Sequence, residues 1–382
     1  MNKRAAAMAV LLAAIGLVLF FVRAHDKMAD FEVNAKAGLR LGWGETLYRV
    51  EDGHYQFKYP PFAAIIYLPL SGLTPAAAKA VWYIILLIAW AAVILLTDKL
   101  VAGGRQTPAW LAWIPPAVLG RYFLRELELG QINLLITLIL LAMTSLLVRA
   151  EKRSAPRAET AAGFLWGLSV ALKPYALIFL PYFILKKKFR PLGAGLSFLA
   201  AAFVLPSAFY GFSGSWTVHR EWVRSLSQST PHLLASQDNA SLLALFNKWT
   251  GLPDLSFTLW ALSLAVLAGL VFLVVRKGRT LNDPIPLDSG LLLLLIPLIS
   301  PLGWDYTFLS SVLAVRLIGQ RFFDFRLPGR LVLALPCLVI PLSLYDLLGR
   351  PLYARFMSLS IITLCFLVLA GYAAALRFKK LC

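Results

Sequence analysis

Long apolar runs recur along the 382-residue chain and are separated by short polar stretches. A helix needs about 20 residues to cross the hydrocarbon of a bilayer, and an open sheet cannot cross because its edge N–H and C=O groups would go unbonded in lipid. The runs therefore predict an all-α polytopic membrane protein with about 12 transmembrane helices, range 10 to 13. They fall near 5–23, 75–98, 107–123, 129–149, 159–172, 174–186, 190–211, 255–276, 288–301, 303–319, 330–346 and 355–377. The pair around Lys173 and Pro174 and the run ending at Pro301 are short, as broken or re-entrant helices would be. Such breaks are tolerated only inside protein or beside a wet cavity.

Composition agrees, since 59% of residues are hydrophobic, more apolar side chain than a soluble core of this length could hide. The net charge of +18 would point to nucleic acid in a soluble domain, but the basic residues come in bursts between apolar runs. With the N-terminus inside, Arg105, the Arg149/Lys152/Arg153/Arg157 group, Lys186 to Lys188 with Arg190, Arg276/Lys277/Arg279, Arg321/Arg326/Arg330 and Arg377/Lys379/Lys380 all face the cytoplasm. That is the positive-inside pattern; it puts both termini in the cytoplasm of a bacterial or archaeal cell and sets nucleic acid aside as a partner. The run after Lys3 and Arg4 reads as an uncleaved first span, although Val22 and Ala24 mimic a cleavage site. Cys337, Cys365 and Cys382 have no metal-ligand spacing and read as packing residues. Residues 1–382 read as one membrane domain in which two extracytoplasmic segments, 24–74 and 211–253, exceed a simple turn.

Candidate chemistry gathers on that outer face. Asp26, Asp30, Glu32, Glu45, Glu51 and Asp52 put six of the 19 acidic residues in the first segment. The stretch from Ala29 to Leu41 predicts a short interfacial helix ended by Gly42 and Gly44, with Asp30 near its N-terminus either as a cap or as a working carboxylate. Phe57, Lys58, Tyr59, Pro60 and Pro61 form a rigid aromatic and basic edge that holds Lys58 near the headgroups. Further external cations, among them Arg121, Arg125, Lys173 and Arg220, break the positive-inside preference, and an anionic lipid phosphate at headgroup depth would explain them. Gln131 and Asn133 start a span with amides suited either to sugar hydroxyls or to helix packing. Asn239 and Ser241 read as a helix N-cap first and a ligand site second. Trp304, Asp305 and Tyr306 place a carboxylate among aromatics, which suits a sugar ring or an interfacial belt. No glycine-rich phosphate loop is present, and His25, His54, His219 and His232 lack ligand spacing.

Taken in order, Asp30-Phe31, Ala37-Gly38, Leu47-Tyr48, Phe57-Lys58-Tyr59-Pro60-Pro61, Pro69-Leu70, Gly130-Gln131-Ile132-Asn133, Ala171-Leu172-Lys173-Pro174, Asn239-Ala240-Ser241 and Ser300-Pro301 with Trp304-Asp305 resemble glycosyltransferase family 87. The resemblance runs from about Asp30 to Tyr306. It implies a GT-C fold, a polyprenyl-phosphate sugar donor, mannose in the first instance, and an external catalytic aspartate at Asp30. The chain departs from the family at Ala240, where glutamine is frequent, and at Tyr306, where histidine is common. The expected reaction is an inverting transfer to a glycan or glycolipid acceptor, with Asp30 as base. Lys58, Arg121, Arg125, Lys173 and Arg220 would bind the donor phosphate, while Tyr59, Gln131, Asn133, Asn239, Ser241, Trp304 and Asp305 would bind sugar or acceptor. No metal or other cofactor is expected, because a departing lipid monophosphate carries less charge than a nucleotide diphosphate and these cations could take a metal's place. The rival readings are a transporter or flippase of a lipid-linked anion, which would need charges deep in several spans, and a non-catalytic assembly subunit of the envelope.

Overall fold

The computed structural model describes residues 10–11, 14–103, 107–276 and 283–378. Lys3, Arg4, Arg105, Lys277, Arg279, Lys379, Lys380 and Cys382, and the start of the first apolar run, lie outside the described residues. Helices of nine or more residues with stated ends are α1 (Ala29–Gly42), α2 (Pro75–Ala102), α3 (Ile114–Leu129), α4 (Asn133–Arg153), α5 (Pro156–Leu172), α6 (Phe189–Val204), α7 (Ser207–Leu234), α8 (Leu242–Thr250), α9 (Pro253–Arg276), α10 (Ile285–Ile299), α11 (Val312–Gln320), α12 (Leu327–Leu342), α13 (Tyr345–Ser358) and α14 (Ile361–Phe378). Among the described residues the sole β feature is an isolated bridge between Asn239 and Trp304.

Among the described residues four helices, α2, α4, α9 and α14, are long and apolar enough to cross a membrane, and up to six if the bent pairs α6–α7 (90°) and α12–α13 (110°) each count as one span. The protein is a multi-pass, all-helical membrane protein. Several of the shorter predicted spans are divided by local chemistry. Lys173 precedes Pro174 and is extended (φ −147°, ψ 122°), because the proline ring disfavours helical backbone before it. The run at 303–319 is a 3₁₀ stretch, Asp305–Ser311, followed by α11.

The residues pack as two compact units. The first comprises the chain up to Val93 with Leu124–Ile184 and Lys188–Thr230; the second comprises Ile94–Phe123, Leu185–Lys187 and the chain from Pro231. In the first unit α5 and α6 lie against each other where Gly163 faces Pro191 and Gly195 faces Trp166. A Cβ on Gly163 would stand 2.2 Å from the Pro191 carbonyl oxygen. Small residues at such a crossing let helices approach where lipid gives no hydrophobic drive. The core of the second unit is α10, buried along its whole length up to Leu298 and lined by α11 and α14.

The segment 24–74 is folded rather than loose. Arg40 on α1 donates twice to Asp52, at 2.5 and 2.9 Å, and Lys36 donates to the same carboxylate at 2.9 Å. These hydrogen bonds, Arg40's above all, hold the Asp52 carboxyl down at about 2 against the opposing effect of burial. A depressed carboxyl stabilises the fold fully above its unfolded value of 3.8 and loses that contribution as pH falls toward 2. Asp52→Asn is therefore expected to lower Tm at neutral pH, with the gap to wild type closing between pH 4 and 2 in detergent-solubilised protein. A gap that does not depend on pH would show that the ion pair does not stabilise this segment.

Candidate functional site

The first cluster is built around the start of α1, inside the first unit. Asp30 lies in the first turn, but Met28 is the N-cap, so the carboxylate is left free of capping. The Met28 N–H donates to the Glu128 carbonyl at 3.0 Å, Lys27 pairs with the Glu128 carboxylate at 3.0 Å, and Phe31 stacks on Trp82 at 5.7 Å. Trp82 in turn donates to the Gly130 carbonyl at 2.8 Å. The chain turns between α3 and α4 at Gly130, whose φ of 68° suits glycine and where a Cβ would meet that of Phe31 at 2.6 Å. This turn brings Gln131 to Asp30, with Gln131 Nε2 donating to Asp30 Oδ2 at 2.7 Å.

Beyond Gln131 the hydrogen bonds continue without a gap. The Tyr59 hydroxyl donates to Gln131 Oε1 at 2.8 Å. Lys173 Nζ and the Tyr175 hydroxyl both donate to Asn133 Oδ1, at 2.7 and 2.8 Å, and the ammonium lies 4.6 Å from the centre of the Tyr59 ring. Asn133 Nδ2 donates to Glu126 at 3.0 Å. Gln131, Asn133 and Glu126 are buried, whereas Asp30, Tyr59 and Lys173 are partly exposed. Lys58 is half-buried. Burial pulls its ammonium below the usual lysine range, and the nearby Asp30 charge acts the other way. Its backbone carbonyl accepts from Trp222 Nε1 at 3.1 Å, which holds the edge in place.

Two further predicted residues of this unit stand differently. Arg125 pairs with Glu128 at 3.0 Å and is about half exposed, while Arg220 is an exposed side chain on α7.

The second cluster lies in the second unit, and its side chains are engaged with one another and with backbone. Arg121 donates to Asp305 Oδ2 and to the Ser343 carbonyl, each at 2.5 Å, and also to the Ser343 hydroxyl; Tyr353 stands 3.4 Å away. Both charged side chains are 8% exposed. Asn239 accepts from the Gly303 N–H at 3.0 Å and donates to the Pro301 carbonyl at 3.1 Å, so its amide ties two backbone segments together. Ser241 is the N-cap of α8, accepting from the Ala244 N–H at 3.0 Å, which is the capping role its position predicts. Trp304 is half-buried within the Asn239 bridge. Lys248 donates to the carbonyls of Gln237, Asn239 and Met357, and burial lowers its ammonium to about 8.

Glu126 and Tyr175 escaped the sequence-based selection. The signal for Glu126 is its place seven residues before Asn133, but the turn at Gly130 lies between them and obscures a helical spacing. Among the described residues no three His, Cys, Asp or Glu side chains come together as a metal would require.

The model of glycosyltransferase family 87 matches residues 57–301, a span that begins after Asp30 and ends before Asp305. The chain is 30% identical over 317 residues to the polyprenol-phosphate-mannose-dependent alpha-(1-2)-phosphatidylinositol mannoside mannosyltransferase of Mycobacterium tuberculosis, covering 76% of this chain and 70% of that protein. To the protein of the same name from Mycolicibacterium smegmatis it is 29% identical over 275 residues, covering 65% of this chain but only 58% of the relative. Among solved structures, ArnT from Cupriavidus metallidurans in the apo state aligns with 98% of this chain and 77% of its own, at 13% identity and a TM-score of 0.41.

Proposed function

Because the chain belongs to glycosyltransferase family 87, we propose that it moves a hexose, mannose first among them, from a polyprenyl-phosphate donor to a glycan or glycolipid acceptor, with inversion and with Asp30 as base. The observation that carries this reading is the Asp30 carboxylate, held by Gln131 at 2.7 Å in the cluster that contains Lys173 and close to the charge of Lys58. The acceptor hydroxyl oxygen attacks the anomeric carbon, Asp30 takes its proton, and the bond from that carbon to the phosphate oxygen breaks with its electron pair leaving on the polyprenyl phosphate. Lys58 and Lys173 meet the phosphate oxygens as charge builds on them. Tyr59 gives the sugar a face to pack against.

The paired guanidinium of Arg121 and the pairing of Arg125 with Glu128 favour Lys58 and Lys173 over them as phosphate ligands. The basic groups Arg149 to Arg157 and Lys186 to Arg190 belong to the cytoplasmic ends of their helices by the positive-inside rule, which assigns the site to the extracytoplasmic face.

The test is transfer of labelled sugar from polyprenyl-phosphate mannose by the protein in membranes. Transfer supports the reading; donor binding without transfer would favour a carrier of lipid-linked anions. Lys58→Met is expected to raise the donor KM by about 10-fold or more, the worth of a hydrogen bond to a charged group. An unchanged donor KM would remove Lys58 from the phosphate site.

A further inference from the structure

Glu126 is wholly buried on α3, and no step of the proposed transfer uses it. Its two carboxylate oxygens are both engaged, Oε1 by the Leu134 N–H at 2.8 Å and Oε2 by Asn133 Nδ2 at 3.0 Å. Burial raises the Glu126 carboxyl to about 7, while the Asn133 amide, the Lys173 charge and the Leu134 N–H pull it down; in its ionised form it only accepts hydrogen bonds, and Asn133 then turns its NH₂ toward Glu126 and its carbonyl oxygen the other way. That oxygen is where Lys173 and Tyr175 donate, and an ammonium has nothing but protons to give. The direction passes on to Gln131. Its Oε1 receives the Tyr59 hydroxyl at 2.8 Å, with Asn133 Nδ2 at 3.4 Å and Lys173 Nζ at 3.5 Å, which leaves Nε2 facing Asp30. If Asn133 turned over, its NH₂ would oppose the ammonium of Lys173.

We propose that Glu126 is a positioning residue for the transfer, fixing the direction of this hydrogen-bond chain so that an N–H meets Asp30 and a carbonyl oxygen meets Lys173. This rests on Asp30 being the base. Glu126 touches neither Asp30 nor a substrate site directly, and it acts through the two amides. The consequence for the chemistry is that Asp30 is oriented by a donor, while Lys173 is anchored at a fixed place and keeps its remaining protons for an anion.

Glu126→Gln keeps the shape but can donate where Glu126 accepts, so Asn133 is free to turn over. Purified Glu126→Gln is expected to lose roughly 10-fold or more in kcat and also to raise the donor KM, because a turned Asn133 amide no longer offers Lys173 the oxygen that anchors it. Glu126→Asp, shorter but still an acceptor, is expected to regain a large part of that rate, which a loss of packing alone would not allow. A second measurement does not depend on activity: thermal unfolding of Glu126→Gln, Lys173→Met and the double variant. With Lys173 gone, a turned amide opposes nothing, so the two losses in Tm are expected not to add. Additive losses, or a kcat for Glu126→Gln within about twofold of wild type, overturn the proposal. If the wild type transfers nothing from polyprenyl-phosphate mannose, the transferase reading fails and the unfolding cycle still decides whether Glu126 sets the chain.

Discussion

Asp30→Asn is expected to reduce sugar transfer by about 10²- to 10⁴-fold, the usual worth of a positioned general base. The substitution is nearly isosteric and leaves an oxygen that can still accept from Gln131 Nε2, so the local fold should survive. Met28 caps through backbone and packing, Lys27 pairs with Glu128, and Phe31 stacks on Trp82, none of which involves the Asp30 side chain. The two functions of the site can therefore be separated. The donor KM should stay within a few-fold, since Lys58 and Lys173 remain, while kcat collapses. Membranes carrying equal amounts of wild type and variant, supplied with labelled polyprenyl-phosphate mannose and acceptor, give both numbers. Equal kcat in the two proteins would move the base elsewhere and remove the chemical meaning of the Gln131 contact. A fall in kcat matched by a fall in Tm would mean that Asp30 holds the helix start instead.

How far this site could be read from residues alone depends on the range of the interaction. The helical character of the chain and the break at Lys173-Pro174 are local properties, set by apolar run length and by the proline ring, and both are present. The helix from Ala29 ends at Gly42 as the glycines suggest, with Gly44 in the left-handed region. The direction of the hydrogen bonds was not legible, because Gln131 reaches Asp30 across 101 residues and Lys173 reaches Asn133 across 40. A string such as Gly130-Gln131-Ile132-Asn133 tells which side chains are polar, not which end of an amide faces which partner. The segment 211–253 hid its helices for a related reason. Most of α7 is polar and amphipathic, a pattern shared by exposed connections, and its kink at Gly211 (φ 66°) has no signature beyond the glycine itself. Arg121 and Asp305 read as ligands because each is a charge at the end of a predicted span. Being 184 residues apart, they gave no sign of being each other's partner.

That pairing leads to the largest expected effect on stability. Asp305→Ala should destabilise the second unit by about 3–5 kcal/mol, the cost of leaving one member of a buried ion pair without its counter-charge. The two side chains are each 8% exposed, so water cannot replace the lost carboxylate. The Arg121 contacts to Ser343 and Tyr353 satisfy hydrogens but supply no negative charge. Asp305→Asn should cost less, because it keeps an acceptor. The informative variant is the double replacement Arg121→Met with Asp305→Leu, which removes both charges and should recover most of the lost Tm, as apolar replacements of buried ion pairs often do. Its transfer rate then separates two roles that the position alone leaves entangled. A stable double variant that still transfers sugar makes the pair a structural bolt between the Asp305–Ser311 turn and α3. A stable double variant that transfers none would return Asp305 or Arg121 to the chemistry, and a single Asp305→Ala variant with unchanged Tm would show that the pair contributes nothing to the fold.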